Sequence, residues 1–272
     1  MYDHVFTGKP PGKFLGRDTY QVSNSNTVGI WGLNDVLWNY DRWPEGIYIE
    51  DAPVITAGQV VFLDAANYRS YSGSGNTWYD LSGNNTNGTN TESTIFPTFS
   101  ENSFEFNGTT NRIIIPRTVS DDFTLACWFK TTSSAGVNGN WWQGGPLVDA
   151  EIAGVTTDFG ISIGAGKLMM GIGASDTTIR STNSYNDGNW HYVTGTRIKS
   201  TGEFKLYVDG QLVATGTGNN SSLVGNSIFS IGLGANAATF SGRVGLVQIY
   251  NRALTLAEIQ QNFEVLRSRY GL

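Results

Sequence analysis

Two carboxylates in the segment "VDAEIAG" have a spacing that suits acid–base chemistry. Asp149 and Glu151 stand two residues apart, so a β-strand would present both on one face. Retaining glycosidases place two carboxylates about 5–5.5 Å apart on either side of the bond that they cleave. The segment provides no third acidic residue on that face. We therefore predict an exposed, non-catalytic pair beside a loop.

Other reactive side chains are few. The single cysteine, Cys127, shares a strand face with Phe123, Leu125 and Phe129 in "FTLACWFK", which predicts a buried thiol that acts as a small apolar residue. The two histidines, His4 and His191, are too few for a histidine-rich zinc site. Because His191 follows a tryptophan on a predicted strand, we expect it to pack and not to catalyse.

The composition favours many short strands. The 272 residues include 34 glycines and 12% aromatic residues, but only 15% charged residues. Such a chain builds turns and strands more readily than helices. The net charge of −6 and the absence of basic clusters argue against a nucleic-acid partner. No apolar run suits a membrane span and the start does not resemble a signal peptide, so we expect a soluble protein that folds in a cytoplasm.

Alternating apolar residues predict three hairpins. In "GEFKLYVDGQLVAT", Asp209-Gly210 is a strong signal for a type I′ turn. Residues 159–172 form a second candidate, with alternating apolar positions on both sides of a glycine-containing turn. Residues 103–116 form a third, in which Phe104 and Phe106 would face Ile113 and Ile115 across a loop that contains Gly108. Short strands at this spacing, without an internal repeat, indicate a sandwich or barrel.

One helix is expected, over residues 255–270. Thr255 and Glu258 form a capping box, and Leu254 with Ile259 matches the hydrophobic staple. The apolar stripe on its face predicts that the helix lies on the sandwich or on a neighbouring subunit. This stripe consists of Ile259, Phe263, Leu266 and Tyr270.

Residues 1–58 differ from the rest. They hold adjacent prolines, polar residues and three tryptophans without a regular period, at Trp31, Trp38 and Trp43. Indoles on such a segment need a surface to bury against. Either they cover the domain of residues 59–272, or they form an extended N-terminal arm that docks on a partner or a sister subunit.

Five segments in order resemble laminin-G-like, concanavalin A-like domains. These segments are "FNGTTNRIIIP", "FTLACWFK", "WHYVTGTR", "FKLYVDGQLVATG" and "FSGRVGLVQIYNRALTLAEI". The resemblance covers about residues 59–272 and implies an all-β, two-sheet antiparallel jelly-roll sandwich with one C-terminal amphipathic helix. "VFLDAANYRSYSGSGNTWYDLSGNNTNGT" and "GIWGLNDVLWNYDRWP" resemble segments of tailed-phage virion proteins. Glucanases with a similar sandwich carry a third acidic residue where "VDAEIAG" has none, so we predict no enzyme.

The resemblance also implies calcium at a sandwich rim, with no cofactor otherwise required. Asp64, Asp80 and Asn84 offer oxygen ligands of the kind that calcium prefers. Alternatively, Asp80 and Asn84 only shape turns through their own hydrogen bonds.

The glycine-rich loop 131–146 is the predicted glycan site. Trp141 and Trp142 would stack on a sugar ring, while Asn138, Asn140 and Gln143 would bind its hydroxyl groups. The alternative is that one or both indoles fold under the loop or pack across a subunit contact.

These observations lead to one functional interpretation. The chain is expected to be a structural or accessory protein of a tailed-phage virion, such as a capsid decoration, neck or tail appendage, assembled in the host cytoplasm. Residues 1–58 would bind other virion proteins, and the sandwich would reinforce the particle or bind host-surface glycans. Phage appendages are commonly trimers, which suggests a homotrimer. The alternatives are a free or cell-surface lectin-like protein and a divergent glycan hydrolase.

Overall fold

The computed structural model describes residues 20–22, 27–29, 53–91, 93–173, 177–235 and 238–272. The chain forms two compact units, Met1–Val54 and Ile55–Leu272. In the first unit, β1 (Tyr20–Val22) and β2 (Thr27–Gly29) pair antiparallel. The predicted docking residues Trp31, Trp38 and Trp43 lie outside the described residues.

The second unit begins four residues before the predicted boundary at residue 59. The backbone N–H of Ile55 donates to Oδ1 of Asn262 (2.8 Å), and Tyr250 Oη donates to the Ile55 carbonyl (2.9 Å). The carbonyl of Gly58 accepts from the backbone N–H of Asn251 (2.8 Å). These bonds tie residues 55–58 into the same unit as the strands.

Two antiparallel sheets make up this unit, as predicted. The eight-stranded sheet contains β3 (Gln59–Asp64), β4 (Thr98–Ser100), β5 (Ser103–Asn107), β7 (Phe123–Lys130), β12 (Trp190–Ile198), β13 (Glu203–Val208), β14 (Gln211–Thr217) and β16 (Ser241–Tyr250). The six-stranded sheet contains β6 (Ile113–Pro116), β8 (Gly145–Asp149), β9 (Phe159–Gly164), β10 (Lys167–Ile172), β11 (Thr177–Arg180) and β15 (Ile228–Ile231).

The strand order shows how the sheets are assembled. The larger sheet runs β14-β13-β12-β7-β16-β5-β4, and β3 pairs with the second half of β16. The smaller sheet runs β11-β10-β9-β8-β15-β6. The core lies between the sheets, where the ring of Phe123 on β7 stacks on Phe159 of β9 at 4.5 Å between centroids. Cys127 is in this core, as predicted, and burial raises the pKa of its thiol.

Two of the three predicted hairpins form. Asp209 and Gly210 have φ angles of 50° and 74°, as a type I′ turn requires, and they join β13 to β14. In the β9–β10 hairpin, Ile161 pairs with Met170, and both side chains point into the core.

The prediction of a third hairpin, over residues 103–116, is wrong. β5 belongs to the larger sheet and β6 to the smaller one, so the chain crosses between sheets. The cause is Asn107, whose Oδ1 accepts from the backbone N–H groups of Thr109, Thr110 and Asn111 at 3.0–3.2 Å. These bonds turn the chain out of the plane of the sheet. The phenylalanines of β5 therefore meet the isoleucines of β6 across the core.

The helix α1 (Leu256–Arg267) covers the outer face of the larger sheet. Its predicted cap is confirmed: Thr255 Oγ1 accepts from the Glu258 N–H (3.3 Å), and Glu258 Oε2 accepts from the Thr255 N–H (2.8 Å). Leu254 and Ile259 are buried together, which confirms the staple. A 3₁₀ helix (Ser268–Tyr270) follows, and Tyr270 stacks on Trp128 at 4.2 Å between centroids.

The stability that Glu258 contributes through the helix cap depends on pH. Hydrogen bonds from Arg252 and Thr255 lower the pKa of Glu258 to about 2, from an ordinary value of 4.5. Because the folded-state pKa is depressed, the stabilisation is fully present above pH 4.5 and is lost as the pH falls toward 2.

We expect Glu258→Gln to reduce the free energy of unfolding by about 1 kcal/mol at pH 7. The difference from wild type should shrink between pH 4.5 and the lowest pH at which the protein stays folded. Urea unfolding at several pH values measures the loss of stability at pH 7 and its decrease toward low pH. Glu264→Gln on the same helix is the control, and an equal loss there would contradict a special role for the cap.

Candidate functional site

An open groove of about 610 Å³ lies at one end of the sandwich. It is formed where four loops meet: those that follow β6, β12, β14 and β16. Pairing of Arg197 with Phe123 and of Tyr250 with Thr124 brings these strand ends together. The lining residues are Thr118, Val119, Ser120, Asp121, Asp122, Lys199, Ser200, Asn220 and Asn251.

A buried arginine holds the loops of this groove. Arg197 is fully buried on β12. Its Nη1 donates to the carbonyls of Ser120 (3.3 Å) and Asp121 (2.8 Å). Its Nη2 donates to the carbonyls of Asn219 and Ser221, both at 2.8 Å. One side chain therefore fixes the 117–122 loop against the 218–227 loop.

The charged residues of the groove form a second network. Lys199 Nζ donates to Asp121 Oδ2 (2.9 Å) and to Ser222 Oγ (2.8 Å). The backbone N–H of Lys199 donates to Asp122 Oδ1 (2.7 Å). The hydrogen bond from Ser222, followed by that from Lys199, lowers the pKa of Asp121. Asp121 is therefore ionised at neutral pH.

Two oxygen atoms at the groove lack partners within the described chain, as does Nε of the buried Arg197. Oδ1 of Asp121 and Oγ1 of Thr118 are both buried, and neither makes a hydrogen bond. A buried polar atom left unpaired costs about 1–3 kcal/mol. Because both atoms are closed to solvent, a ligand in the groove would instead meet its exposed side chains, which include Asp122, Asn220 and Asn251.

This groove was not predicted. Its residues come from four loops that are far apart in the sequence, and each loop alone reads as an ordinary turn. The available signal was Asp121-Asp122 just before one predicted strand and Lys199 just after another. Only the pairing of β7 with β12 places them at the same end.

The predicted glycan loop needs a correction at Trp141. This indole is fully buried and lies against the smaller sheet, where Gly160 and Gly171 leave room for it. A Cβ on Gly171 would stand 1.7 Å from Cδ1 of Trp141. The backbone N–H of Trp141 donates to Thr178 Oγ1 (3.1 Å), which fixes the loop to β11. Trp141 is not placed to stack on a sugar.

The other residues of that loop stay near the surface. Asn138 is exposed, whereas Asn140, Trp142 and Gln143 are half-buried. Gln143 Oε1 accepts from the Asn140 N–H (2.7 Å). The exposed Arg180 donates to the carbonyls of Asn138 (3.3 Å) and Gly139 (2.7 Å). Asn140 and Gln143 are therefore hydrogen-bonded to each other, and none of these four residues lines the groove.

The proposed calcium ligands have other partners. Each oxygen of the Asp80 carboxylate accepts two hydrogen bonds; the donors are the N–H groups of Phe62, Ser82 and Thr86 and the Ser82 hydroxyl, at 2.7–3.1 Å. Oδ1 of the buried Asp64 accepts from Arg269 Nη1 (2.6 Å).

Asn84, the third predicted ligand, donates through its amide to Ser82 Oγ (2.9 Å). The set therefore does not fit a calcium ion and favours the turn-shaping alternative. Among the described residues, no cluster of three or more His, Cys, Asp or Glu side chains is arranged to hold a metal.

The "VDAEIAG" carboxylates are buried, contrary to the prediction that they are exposed. Asp149 and Glu151 are 3% and 5% exposed. Burial raises the pKa of Asp149 well above its ordinary value. Oδ1 of Asp149 accepts from the Glu151 N–H (2.6 Å), and this bond shapes the local chain. Enclosed in this way, neither carboxylate is open to a polysaccharide.

His191 is hydrogen-bonded to two aspartates. Its Nδ1 lies 2.8 Å from Asp209 Oδ2, and its Nε2 lies 3.1 Å from Asp187 Oδ1. Burial alone would lower the pKa of His191, but the bonds to both carboxylates outweigh it and raise the pKa. The imidazole also packs edge-on against Tyr185. It therefore braces the β13–β14 hairpin.

Two packed antiparallel sheets with a polar groove at one end define the chain as a lectin-like sandwich. The chain belongs to the concanavalin A-like lectin/glucanases superfamily, whose family model matches residues 107–260. The predicted jelly-roll fold is thereby confirmed. A comparison with curated proteins gave no match. No helix in the described part of the chain is both long and apolar enough to cross a membrane.

Similar solved structures include the receptor binding domain of botulinum neurotoxin D, at 14% identity and a TM-score of 0.57, covering 77% of this chain and 53% of that one. A second is botulinum neurotoxin type C, whose cell entry is described as dependent on interaction with two ganglioside molecules. It has 16% identity and a TM-score of 0.57, and the match covers 78% of this chain and 52% of that one. A third is Trypanosoma rangeli sialidase in complex with sialic acid, with 22% identity and a TM-score of 0.55. This match covers 79% of this chain and 34% of that one.

These identities establish the fold alone. The chain spans about half of each neurotoxin chain and about a third of the sialidase.

The role of Arg197 can be measured. We expect Arg197→Met to lower the free energy of unfolding by about 3 kcal/mol, because four carbonyls lose their buried donor. Arg180→Met is the matched control: Arg180 also donates to two loop carbonyls, but it is exposed, so its loss should cost less than about 1 kcal/mol. Chemical denaturation compares the two variants, and similar losses would refute a special structural role for Arg197.

Proposed function

We propose that the sandwich binds carbohydrate in the end groove without cleaving it, and that the chain displays this domain on a tailed-phage virion. The observation that carries the first part is the open groove lined by polar side chains, among them the exposed carboxylate of Asp122. Sugar hydroxyl groups are suited to such acceptors because each can donate one hydrogen bond and accept others. The exposed amides of Asn220 and Asn251 add donors and acceptors at the same surface.

The fold supports this proposal. Concanavalin A-like sandwiches include lectins, and two of the similar structures are described with gangliosides or sialic acid. Those ligands belong to the other proteins. Here they support carbohydrate as the ligand class, while the groove provides the residues.

Electrostatics favours binding over hydrolysis. A glycosidase needs one protonated carboxyl group to donate a proton to the leaving oxygen, and such groups have a raised pKa. The pKa of Asp121 is instead lowered by Ser222 and Lys199. Asp149 has a raised pKa, but it is buried. We therefore expect no turnover of glycans, and a divergent hydrolase remains the weaker alternative.

The virion role extends the resemblance of the sequence to phage proteins. Residues 1–58 would attach the chain to capsid, neck or tail proteins, and a homotrimer would place several sandwiches side by side. Many copies on one particle turn weak single sites into strong attachment. The competing proposal is a free or cell-surface lectin, which would bind carbohydrate in the same groove.

The groove can be tested by glycan binding. We expect the full chain to bind a subset of a glycan array, and Asn220→Ala with Asn251→Ala to weaken the strongest interaction about tenfold, since each lost hydrogen bond is worth about 0.5–1.5 kcal/mol. The melting temperature should stay unchanged because both side chains are exposed. EDTA should have no effect, because we propose that no calcium is needed.

Trp142→Ala is the control for the surface formed by the 138–143 loop. It should leave glycan binding intact. If it abolishes binding while the groove variant binds normally, the 138–143 loop is the site and the groove is not.

Attachment to a particle is tested separately. Mass spectrometry of purified virions from the producing host should detect the full chain. Deletion of residues 1–54, which leaves the Ile55 hydrogen bonds in place, should yield a folded sandwich that is absent from the virions. Absence of the full chain from every particle would reject the virion role and favour a free lectin.

A further inference from the structure

We propose that protonation of His191 controls how firmly the 181–189 loop is attached to the sandwich. This loop joins β11 to β12, and His191 is the second residue of β12. The groove lies beyond the other end of the same strand. The inference is therefore independent of the proposed function.

Both ring nitrogens of His191 face carboxylates. Nδ1 lies 2.8 Å from Oδ2 of Asp209 in the β13–β14 turn, and Nε2 lies 3.1 Å from Oδ1 of Asp187 in the loop. A carboxylate only accepts hydrogen bonds, and a neutral imidazole carries a single N–H, so it can donate to just one of the two. The imidazolium donates to both. Protonated His191 therefore joins the loop to the turn.

Loss of the proton breaks the bond to Asp187 and keeps the bond to Asp209. The Asp209 carboxylate is fixed to β12, because its Oδ1 accepts from the Tyr192 N–H (2.8 Å) and its own N–H donates to the Tyr192 carbonyl (2.9 Å). Asp187 is exposed, and its oxygens accept from the N–H and Nδ2 of Asn189 in the same loop (2.9 and 3.0 Å). These two bonds move with the loop, so Asp187 is the side that separates.

In the described part of the chain, the other side chains packed around the imidazole keep their charge near neutral pH. The ring of Phe129 on β7 lies 6.0 Å away between centroids, and the edge-on ring of Tyr185 lies 5.0 Å away. Burial, with a smaller contribution from Asp209, raises the pKa of Tyr185, so its phenol stays neutral. The hydrogen bond from the Asn189 N–H is the largest of those that lower the pKa of Asp187, which stays ionised.

The direction of the pH effect follows from the same contacts. Burial alone would lower the pKa of His191, but the bonds to Asp209 and Asp187 raise it above the ordinary value of 6.5. Because the folded-state pKa is raised, the attachment is complete below pH 6.5 and is lost as the pH rises through the folded-state pKa. The next bond along the loop then weakens, which is the one from the Gly188 N–H to the Thr131 carbonyl (3.0 Å).

Carbon-detected NMR of the full chain between pH 5 and pH 9 tests this inference without relying on amide protons that exchange at high pH. We expect the imidazole signal of His191, assigned with His191→Gln, to titrate with a midpoint above 6.5. The carbonyl signal of Thr131 reports the bond from Gly188 and should shift with the same midpoint. In His191→Gln the Thr131 signal should not titrate in this range.

Asp187→Asn is the matched variant. Its amide can donate to the neutral imidazole, so the loop should stay attached at high pH and the Thr131 signal should no longer titrate. The midpoint of His191 should fall by about one pH unit, because one opposite charge is gone. Asp122→Asn removes the same charge at the groove and should leave both signals as in the wild type.

Two results would overturn the inference. A His191 midpoint below 6.5 would mean that the imidazole is neutral where we propose a charge. A raised midpoint with an unchanged Thr131 carbonyl signal would mean that the histidine is charged but does not control the loop.

Discussion

Burial of the Arg197 guanidinium determines how the groove end of the sandwich is built. A buried guanidinium must donate several hydrogen bonds, and in the described part of the chain no carboxylate accepts one from Arg197. Four carbonyls from two loops accept from its two terminal nitrogens, so both loops are drawn toward the end of β12. The position of Asp121 follows from this, because its own carbonyl is one of the four. The charge that shapes the loops is thus hidden from any ligand that the loops would bind.

A second buried polar network secures the start of the sandwich. Tyr250 Oη receives bonds from the amides of Gln248, Asn262 and Gln59, and it donates to the Ile55 carbonyl. α1 covers this network from outside, which explains why a buried asparagine, Asn262, lies beside its apolar stripe. The helix therefore does two things at once: its apolar residues cover the larger sheet, and Asn262 fixes the point where the sandwich begins.

Local patterns predicted those parts of the fold that depend on neighbouring residues. The Asp209-Gly210 turn, the Thr255–Glu258 cap and the burial of Cys127 each follow from one short stretch. The crossing after Asn107 could not be seen, because alternation describes a hairpin and a crossing between two sheets equally well. The prediction that Trp141 and Asp149 are exposed is wrong for a related reason. A loop or a neighbouring strand covers these residues, and only the folded chain brings that cover into place.

The chemistry of the groove also bears on how strongly one site can bind. None of its nine described lining residues is aromatic, so a sugar would gain hydrogen bonds but no stacking on a ring. Net gains from hydrogen bonds in water are small, since each replaces a bond to solvent. A single groove of this kind is expected to bind weakly. Useful attachment then requires several sandwiches in one assembly, and this is the physical reason to link a weak sugar site with display in many copies.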